Sequence, residues 1–397
     1  MGMLADRMAQ VSVSATLKVA AEAERLRKAG HNVVDFSAGE PDFPTPEHIK
    51  SAAKAAIDAN FTRYTAAAGI AELREAICAR YKNDYGVDIT PAEVLLTVGG
   101  KQALFNTALA LYNPGDEVIT HAPYWPTIPE QVKLVGATPV IVQTSSVDGF
   151  RVSPEAIVAA ITPKTKAIIL NSPGNPTGAL IEESVVAAIA DEAARRDIWV
   201  VIDLCYEQLI YEPVPHNLPK ALFDRHRAKT VLCGSASKSY AMTGWRCGWT
   251  VAPRELTAAF NIIQGQSTSN ITSVTQKAAL AAIGGSQAAV TAMLDEYRVR
   301  RDNIHAWLTA HPGIQCVKPN GAFYLFPNIS GLLAPGMTST DFAQALLEKE
   351  HVVVTPGEAF DAPGYLRISY ATSMEQLREG ATRILRFAES LQHAAAR

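Results

Sequence analysis

The sequence predicts an α/β protein whose mainly parallel sheet carries helices on both faces, followed by a smaller α+β region. Three observations carry that expectation. From about residue 94 short apolar runs alternate with helical patterns. Several runs, such as KAIIL (166–170) and IWVVI (198–202), are apolar without alternation, as strands covered on both faces are. After about residue 286 this rhythm stops, and a long helical pattern gives way to short, scattered strands.

Taken in order, residues 14–29 read as an amphipathic helix that Gly30 stops. Thr45-Pro46-Glu47 offers a capping hydroxyl, a proline for the first helical position and an acid for the first turn, so a helix should run to about Ala59. Strands are expected at 94–98, 117–120, 138–142, 166–170, 198–202 and 230–234. Helices at 101–112, 126–135, 153–161 and 181–195 fall between the first five. A helix at 288–310, strands near 322–327, 351–354 and 365–369, and a last helix at 373–391 complete the chain. The charges Arg298, Arg300, Arg301 and Asp302 are expected on a solvated helix face. No repeat or Pro/Gly-rich linker marks a domain boundary.

Composition narrows the function. With 36 basic and 39 acidic residues the net charge is −3, so no basic surplus exists to bind a nucleic-acid backbone. Hydrophobic residues at 48% against 19% charged ones give a large core and exclude bulk disorder. No apolar run approaches the ~20 residues that cross a bilayer. Asp6 and Arg7 stand where a signal peptide would be apolar, and Asp6 also breaks the myristoylation pattern. Five cysteines with no C-x-x-C pair suit a reducing compartment, so a soluble cytoplasmic protein is expected. The nine histidines are scattered and show no H-E-x-x-H, so no metal site is expected.

In open α/β sheets ligands sit beyond the carboxyl ends of the strands, so the residues after each strand matter most. Gly99-Gly100-Lys101 opens a helix whose free N–H groups suit a phosphate, or else form an ordinary turn. A Walker A loop is excluded, because Leu95 stands where its first glycine would be. Trp125 after Pro123-Tyr124 offers a flat surface for an aromatic ligand, or simply fills the core or an interface. Asn175, in a stretch dense in proline and glycine (172–178), is placed to donate to a ligand oxygen or to decorate a tight turn. Asp203 ends a buried strand and needs a cation, a donor or a helix terminus. Lys238, in Ser235-Ala236-Ser237-Lys238, follows an apolar strand, which suits a lowered pKa and covalent chemistry. The S-x-x-K string lacks the S-D-N and K-T-G partners of penicillin-binding enzymes. Arg367, within YLRIS, suits a bidentate carboxylate or the wet face of a strand.

One ligand uses all of these groups together: pyridoxal 5'-phosphate (PLP). Its aldehyde wants a lysine, its ring nitrogen an acid, and its phosphate helix-terminus N–H groups and an arginine such as Arg246. The segments that supply them are FSAGEPDFPTP (36–46), RYTAAAGIAELR (63–74), TVGGKQALFN (97–106), APYW (122–125), SPGNPTG (172–178), SASKSYAMTGWRCGW (235–249), QSTSN (266–270) and TPGEAFDAPGYLRISYA (355–371). Through them the chain resembles the fold-type I, class I aminotransferases, and within these the bacterial aspartate aminotransferase subgroup.

That resemblance implies a role for each residue. Lys238 would carry the cofactor as an imine and then move the substrate α-proton; Asp203 would pair with the ring nitrogen. Tyr206 and Asn175 would donate to the ring hydroxyl oxygen, and Trp125 would stack on the ring. Gly100, Lys101, Ser235, Ser237 and Arg246 would hold the phosphate, joined by Tyr64 of a neighbouring subunit, which implies a homodimer with shared sites. Arg367, with Gly39 close by, would clamp the α-carboxylate. Lys101, assisted by Thr16, would supply the second cation that a dicarboxylate needs. The resemblance further implies a large domain at 47–285 and a small one combining 12–46 with 286–397. The reaction it implies is ping-pong transfer between L-aspartate and 2-oxoglutarate, with prephenate/arogenate, aromatic or alanine transamination or a β-lyase reaction as rivals on the same fold. Leu204, Ala66 and Ile271 depart from the subgroup's pattern and bear on substrate class. A catalytically silent binding module is disfavoured because Lys238 and Asp203 are both present.

Overall fold

The computed structural model describes residues 4–11 and 15–395, with side chains described at 4–11 and 22–391. Its strands run in chain order as β1 (Val34–Asp35), β2 (Val94–Thr97), β3 (Glu117–Ala122), β4 (Thr138–Gln143), β5 (Thr165–Asn171), β6 (Trp199–Asp203), β7 (Thr230–Ser235), β8 (Gly248–Val251), β9 (Tyr324–Leu325), β10 (Val352–Val353), β11 (Thr355–Pro356) and β12 (Leu366–Ser369). Seven of them form one sheet in the order β2-β8-β7-β6-β5-β3-β4. From β7 to β4 every pair is parallel, whereas β8 runs antiparallel to both β2 and β7.

The apolar runs behave as strands buried on both faces should. Ile168, Leu170, Val200, Ile202 and Leu232 pack on one side against the helices Ala71–Tyr85, Glu183–Arg195, Leu218–His226 and Ser273–Gly284. Their neighbours Ala167, Ile169, Val201, Val231 and Cys233 face Gly99–Leu111, Thr127–Leu134 and Arg254–Ser267 on the other. Each fully buried Val, Leu or Ile side chain contributes roughly 1.5–3 kcal/mol, so the two-sided core fixes the register of the central strands. That register sets Asn171 opposite Asp203 and Asp203 opposite Cys233. The carboxyl ends of β5, β6 and β7 therefore finish along one edge.

The later part forms a second layer. β11-β12-β9 make a small antiparallel sheet, and β1 pairs in parallel with β10, tying the N-terminal segment to the C-terminal one. The helices Ala288–Thr309, Ser339–Glu350 and Met374–Ala395 enclose a separate core that includes Val34, Phe36, Phe323, Leu325, Phe342, Val352 and Ile368.

Three expectations need correction. β8 was not anticipated, because GWTV follows a glycine-rich stretch and reads as loop. It fits only because Gly248 has no side chain: a Cβ there would lie 2.5 Å from the Gly99 carbonyl carbon and 2.6 Å from the Gly100 nitrogen. Thr45 does not cap the next helix, which starts at Glu47 with Pro46 as its N-cap. Its hydroxyl instead donates to the Ala241 carbonyl (2.6 Å) and accepts from Trp245 Nε1 (3.0 Å). Arg300 and Arg301 are not on a solvated face; they are 6% and 2% exposed. Arg300 pairs with Asp42 (2.7 Å) and Glu296, and Arg301 with Glu212, Asp302 and the Pro319 carbonyl. Partners from distant segments make that burial tolerable, and helical periodicity cannot reveal them.

Candidate active site

The strand ends gather the chemistry. Asp203, 3% exposed at the end of β6, accepts a hydrogen bond from the Cys205 backbone N–H at 3.0 Å. Burial pushes its carboxyl up to about 6, against the lowering influence of that N–H and of the Lys238 cation. Lys238 lies just beyond β7, and its amine donates to the Gly39 carbonyl. Burial lowers its pKa, because a charged amine is poorly solvated there. A buried acid with its pKa raised beside a buried amine with its pKa lowered is an arrangement found where protons are transferred.

Arg367, on β12, is 4% exposed. Its Nη1 donates to Asn175 Oδ1 (3.2 Å) and its Nη2 to the Ser37 carbonyl (2.8 Å), while its buried Nε has no partner. Its guanidinium lies over the Tyr324 ring at 4.6 Å and near the Phe360 ring at 5.1 Å. Among the described residues no carboxylate pairs with it. A buried arginine without a counterion is costly, so this one is built for an anion that arrives from outside.

A cradle forms where β7, β8 and the helix Gly99–Leu111 meet. Gly99 has φ +76°, and a Cβ on it would lie 2.7 Å from Arg246 Nη2. A Cβ on Gly100 would lie 3.4 Å from Ser235 Cβ. Ser235 Oγ accepts from the Ser237 N–H at 3.1 Å. Backbone N–H groups at a helix start, two serines and an arginine thus surround a space that side chains would fill. It suits a phosphate.

The remaining expected residues fall into two groups. Tyr206 is buried, with its hydroxyl 2.7 Å from that of Tyr324. Gly39 meets Lys238 as described, and a Cβ on it would lie 3.2 Å from the Tyr324 hydroxyl. Trp125 is half-buried, and the exposed Lys101 holds its amine 5.1 Å from the Trp125 ring centroid. Burial and the Arg246 cation lower the Lys101 pKa. Tyr64, in contrast, is 88% exposed and meets none of these groups within its own chain. The side chain of Thr16 lies outside the described residues. No cluster of three metal-ligating side chains occurs among the described residues.

The sequence reading missed Tyr324, Phe323 and Phe360, which line the Arg367 end of the site. Phe323 and Tyr324 lie at a two-residue strand and are hinted at only by the repeated aromatics of GAFYLF, whereas Phe360 ends the short turn GEAF and carries no such signal. Beside Arg246 a cleft of about 550 Å³ opens, lined by Pro41, Phe43, Thr45, Thr243 and Trp245 among others.

Comparison with known proteins matches residues 31–384 to the family model of class I and II aminotransferases. The aspartate/prephenate aminotransferase of Cereibacter sphaeroides is 44% identical, over 98% of this chain and 100% of that one. The aspartate aminotransferase of Geobacillus stearothermophilus is 42% identical, over 98% and 99%. The structure of the aspartate aminotransferase of Thermus thermophilus with maleate superposes with a TM-score of 0.92 at 42% identity, over 98% of this chain and all of that one.

Proposed function

The chain belongs to the class I and II aminotransferases, and from that premise we propose that it moves an amino group between L-aspartate and 2-oxoglutarate with PLP as cofactor. The single observation that carries the reading is Arg367: a buried guanidinium with an unpartnered Nε and, among the described residues, no acid paired with it, reaching from β12 to Asn175 and close enough to Lys238 to act on its charge.

The cofactor fits the residues present. The cradle at Gly99, Gly100, Ser235, Ser237 and Arg246 would hold its phosphate, with Lys101 at the same helix start. Asp203 would face its ring nitrogen, Tyr206 and Asn175 its ring oxygen, and Trp125 its face; Lys238 would hold its aldehyde carbon. When bound, PLP carries the amino group between the two substrates and accepts the electron pair left by the α-proton.

The chain's own residues do the rest. Arg367 grips the substrate α-carboxylate through a planar fork, and Gly39 leaves room beside it. That grip would present the substrate α-proton to one amine, the Lys238 Nζ, which would take it and give it back on the far side of the transferred nitrogen. Burial shifts that amine in the direction a base needs, because its charged form is poorly solvated there. Lys101, with Thr16 assisting, supplies the second cation for the side-chain carboxylate of aspartate. The exposure of Tyr64, an aromatic residue at 88%, supports a homodimer in which it reaches the phosphate of the neighbouring subunit's site. The division into a 47–285 unit and a 12–46 plus 286–397 unit, and a cytoplasmic location, belong to the same reading. Among the described residues no helix is long and apolar enough to cross a membrane. Its 44% identity to the aspartate/prephenate aminotransferase of Cereibacter sphaeroides favours prephenate as a second amino acceptor.

The test mixes purified holoenzyme with aspartate and no acceptor. Transamination stops at one equivalent of oxaloacetate per site and resumes when 2-oxoglutarate is added. Continuous keto-acid release without an acceptor would favour a β-lyase. Borohydride reduction should place the cofactor on the peptide containing Lys238; a map without it would refute the assignment.

A further inference from the structure

We propose that Tyr324 is a positioning residue for Tyr206: its hydroxyl donates to the Tyr206 oxygen and so turns the Tyr206 hydrogen toward the cofactor. The proposal rests on the reading above, in which Tyr206 serves the cofactor ring oxygen.

Two phenols 2.7 Å apart share one hydrogen, and either oxygen can give it. Both residues are buried, at 4% and 1% exposure, so water does not decide the direction. The surroundings do. Arg367 holds its guanidinium carbon 4.6 Å from the Tyr324 ring centroid, and a cation over a phenol ring draws electron density from its hydroxyl. Among the described residues the Tyr206 ring meets Phe323 (5.5 Å) and Tyr324 (5.8 Å) edge-on and has no cation over it. Burial raises both phenols above their ordinary range, Tyr206 well above, while Arg367 opposes the rise at each. Tyr324 is thus the better donor.

No other partner competes for the Tyr324 hydroxyl among the described residues. Gly39 presses against it so closely that a Cβ would lie at 3.2 Å. The charged and titratable groups facing it are Arg367 from β12, Cys205 and Tyr206 from the turn after β6, and Tyr297 from the helix Ala288–Thr309. Lys238, from the loop after β7, stands 5.9 Å from the adjacent Phe323 ring.

A hydroxyl whose oxygen already accepts a hydrogen bond is polarised and donates more strongly. One aromatic ring therefore connects the arginine assigned to the substrate carboxylate with the phenol assigned to the cofactor. The connection is a chain of two contacts, guanidinium on ring and hydroxyl on hydroxyl.

The test is Tyr324→Phe in the holoenzyme, which keeps the ring under Arg367 and removes only the hydroxyl. The readout is the pH at which the visible absorbance of the bound cofactor titrates. The ring oxygen shares a proton with the nitrogen beside it. Weaker donation from Tyr206 leaves more charge on that oxygen, so the proton is held to higher pH. The midpoint is expected to rise by about half a pH unit. In a Tyr206→Phe background the same substitution should produce no shift. The double variant removes both hydroxyls and leaves no buried orphan between the two rings. Were Tyr206 the donor to Tyr324 instead, Tyr324→Phe would free its hydrogen for the cofactor and the midpoint would fall. A fall, no shift, or an equal rise in the Tyr206→Phe background overturns the proposal. A wild type with no titrating visible band would instead remove the cofactor reading beneath it.

Discussion

Replacing Asp203 with Asn should stabilise the cofactor-free protein at neutral pH while spoiling its hold on the cofactor. Asp203 is 3% exposed, and burial pushes its carboxyl up to about 6, whereas in an unfolded chain it titrates near ~3.9. In the window between these values the folded protein keeps a proton that the unfolded chain has released. Stability from this group is therefore complete below the unfolded value and is lost as pH rises through the folded one. A shift of about two units at ~1.4 kcal/mol each amounts to about 3 kcal/mol lost by pH 7. Asn has the same shape and can still accept the Cys205 N–H, but carries no charge. Urea denaturation of both apoproteins from about pH 4.5 to 7.5, at one fixed protein concentration, reads the difference directly. Asp203→Asn should gain on the wild type across that range by about 2–3 kcal/mol. Adding PLP should reverse the order, because the ring nitrogen gives the native carboxylate its missing cation. A stability difference that stays flat with pH, or an apo wild type that is the more stable at pH 7, would refute the reasoning.

Two further outcomes can be checked. Lys101→Ala should lower kcat/KM for aspartate by about 10- to 100-fold, the worth of one charge-assisted hydrogen bond, with a smaller loss for alanine; equal losses for both donors would show that Lys101 is not the second cation. The buried pair Arg80–Glu207 (2.5 Å), to which Tyr85 adds a hydrogen bond at 2.5 Å, anchors the turn that carries Tyr206. Arg80→Met should destabilise the protein by about 3–5 kcal/mol, because Glu207 is left charged and buried, and Arg80→Met with Glu207→Leu should recover most of that loss. Denaturation midpoints decide; a double variant no more stable than the single one would mean that the pair matters for packing alone.

Much of the site is legible in the chain because the fold puts it at strand ends. Where a buried strand stops, its apolar run stops too, so Asp203, Asn175 and Lys238 announce themselves by following IWVVI, KAIIL and TVLCG. The cradle is equally local, since Gly99 and Gly100 open their helix directly. Lys101 and Trp125 are placed by the same logic, and the structure brings the Lys101 amine to 5.1 Å from the Trp125 ring centroid. The elements around the site are less legible. Ser273–Gly284 is buried on much of its surface and so lacks a polar stripe, and Arg300 and Arg301 of Ala288–Thr309 are charged yet buried.

By itself the sequence determined the sheet's central strands, the order of the reactive groups along it, and the family they signify. These depend on short-range facts: where an apolar run ends, and which residue types follow it. Only the tertiary structure decided that β8 slots between β2 and β7, that Arg300 and Arg301 are buried, and that Tyr324 stands between Tyr206 and Arg367. Each of those outcomes joins segments 100 or more residues apart or rests on burial by them, and local periodicity records which face of an element is apolar but not what will cover it.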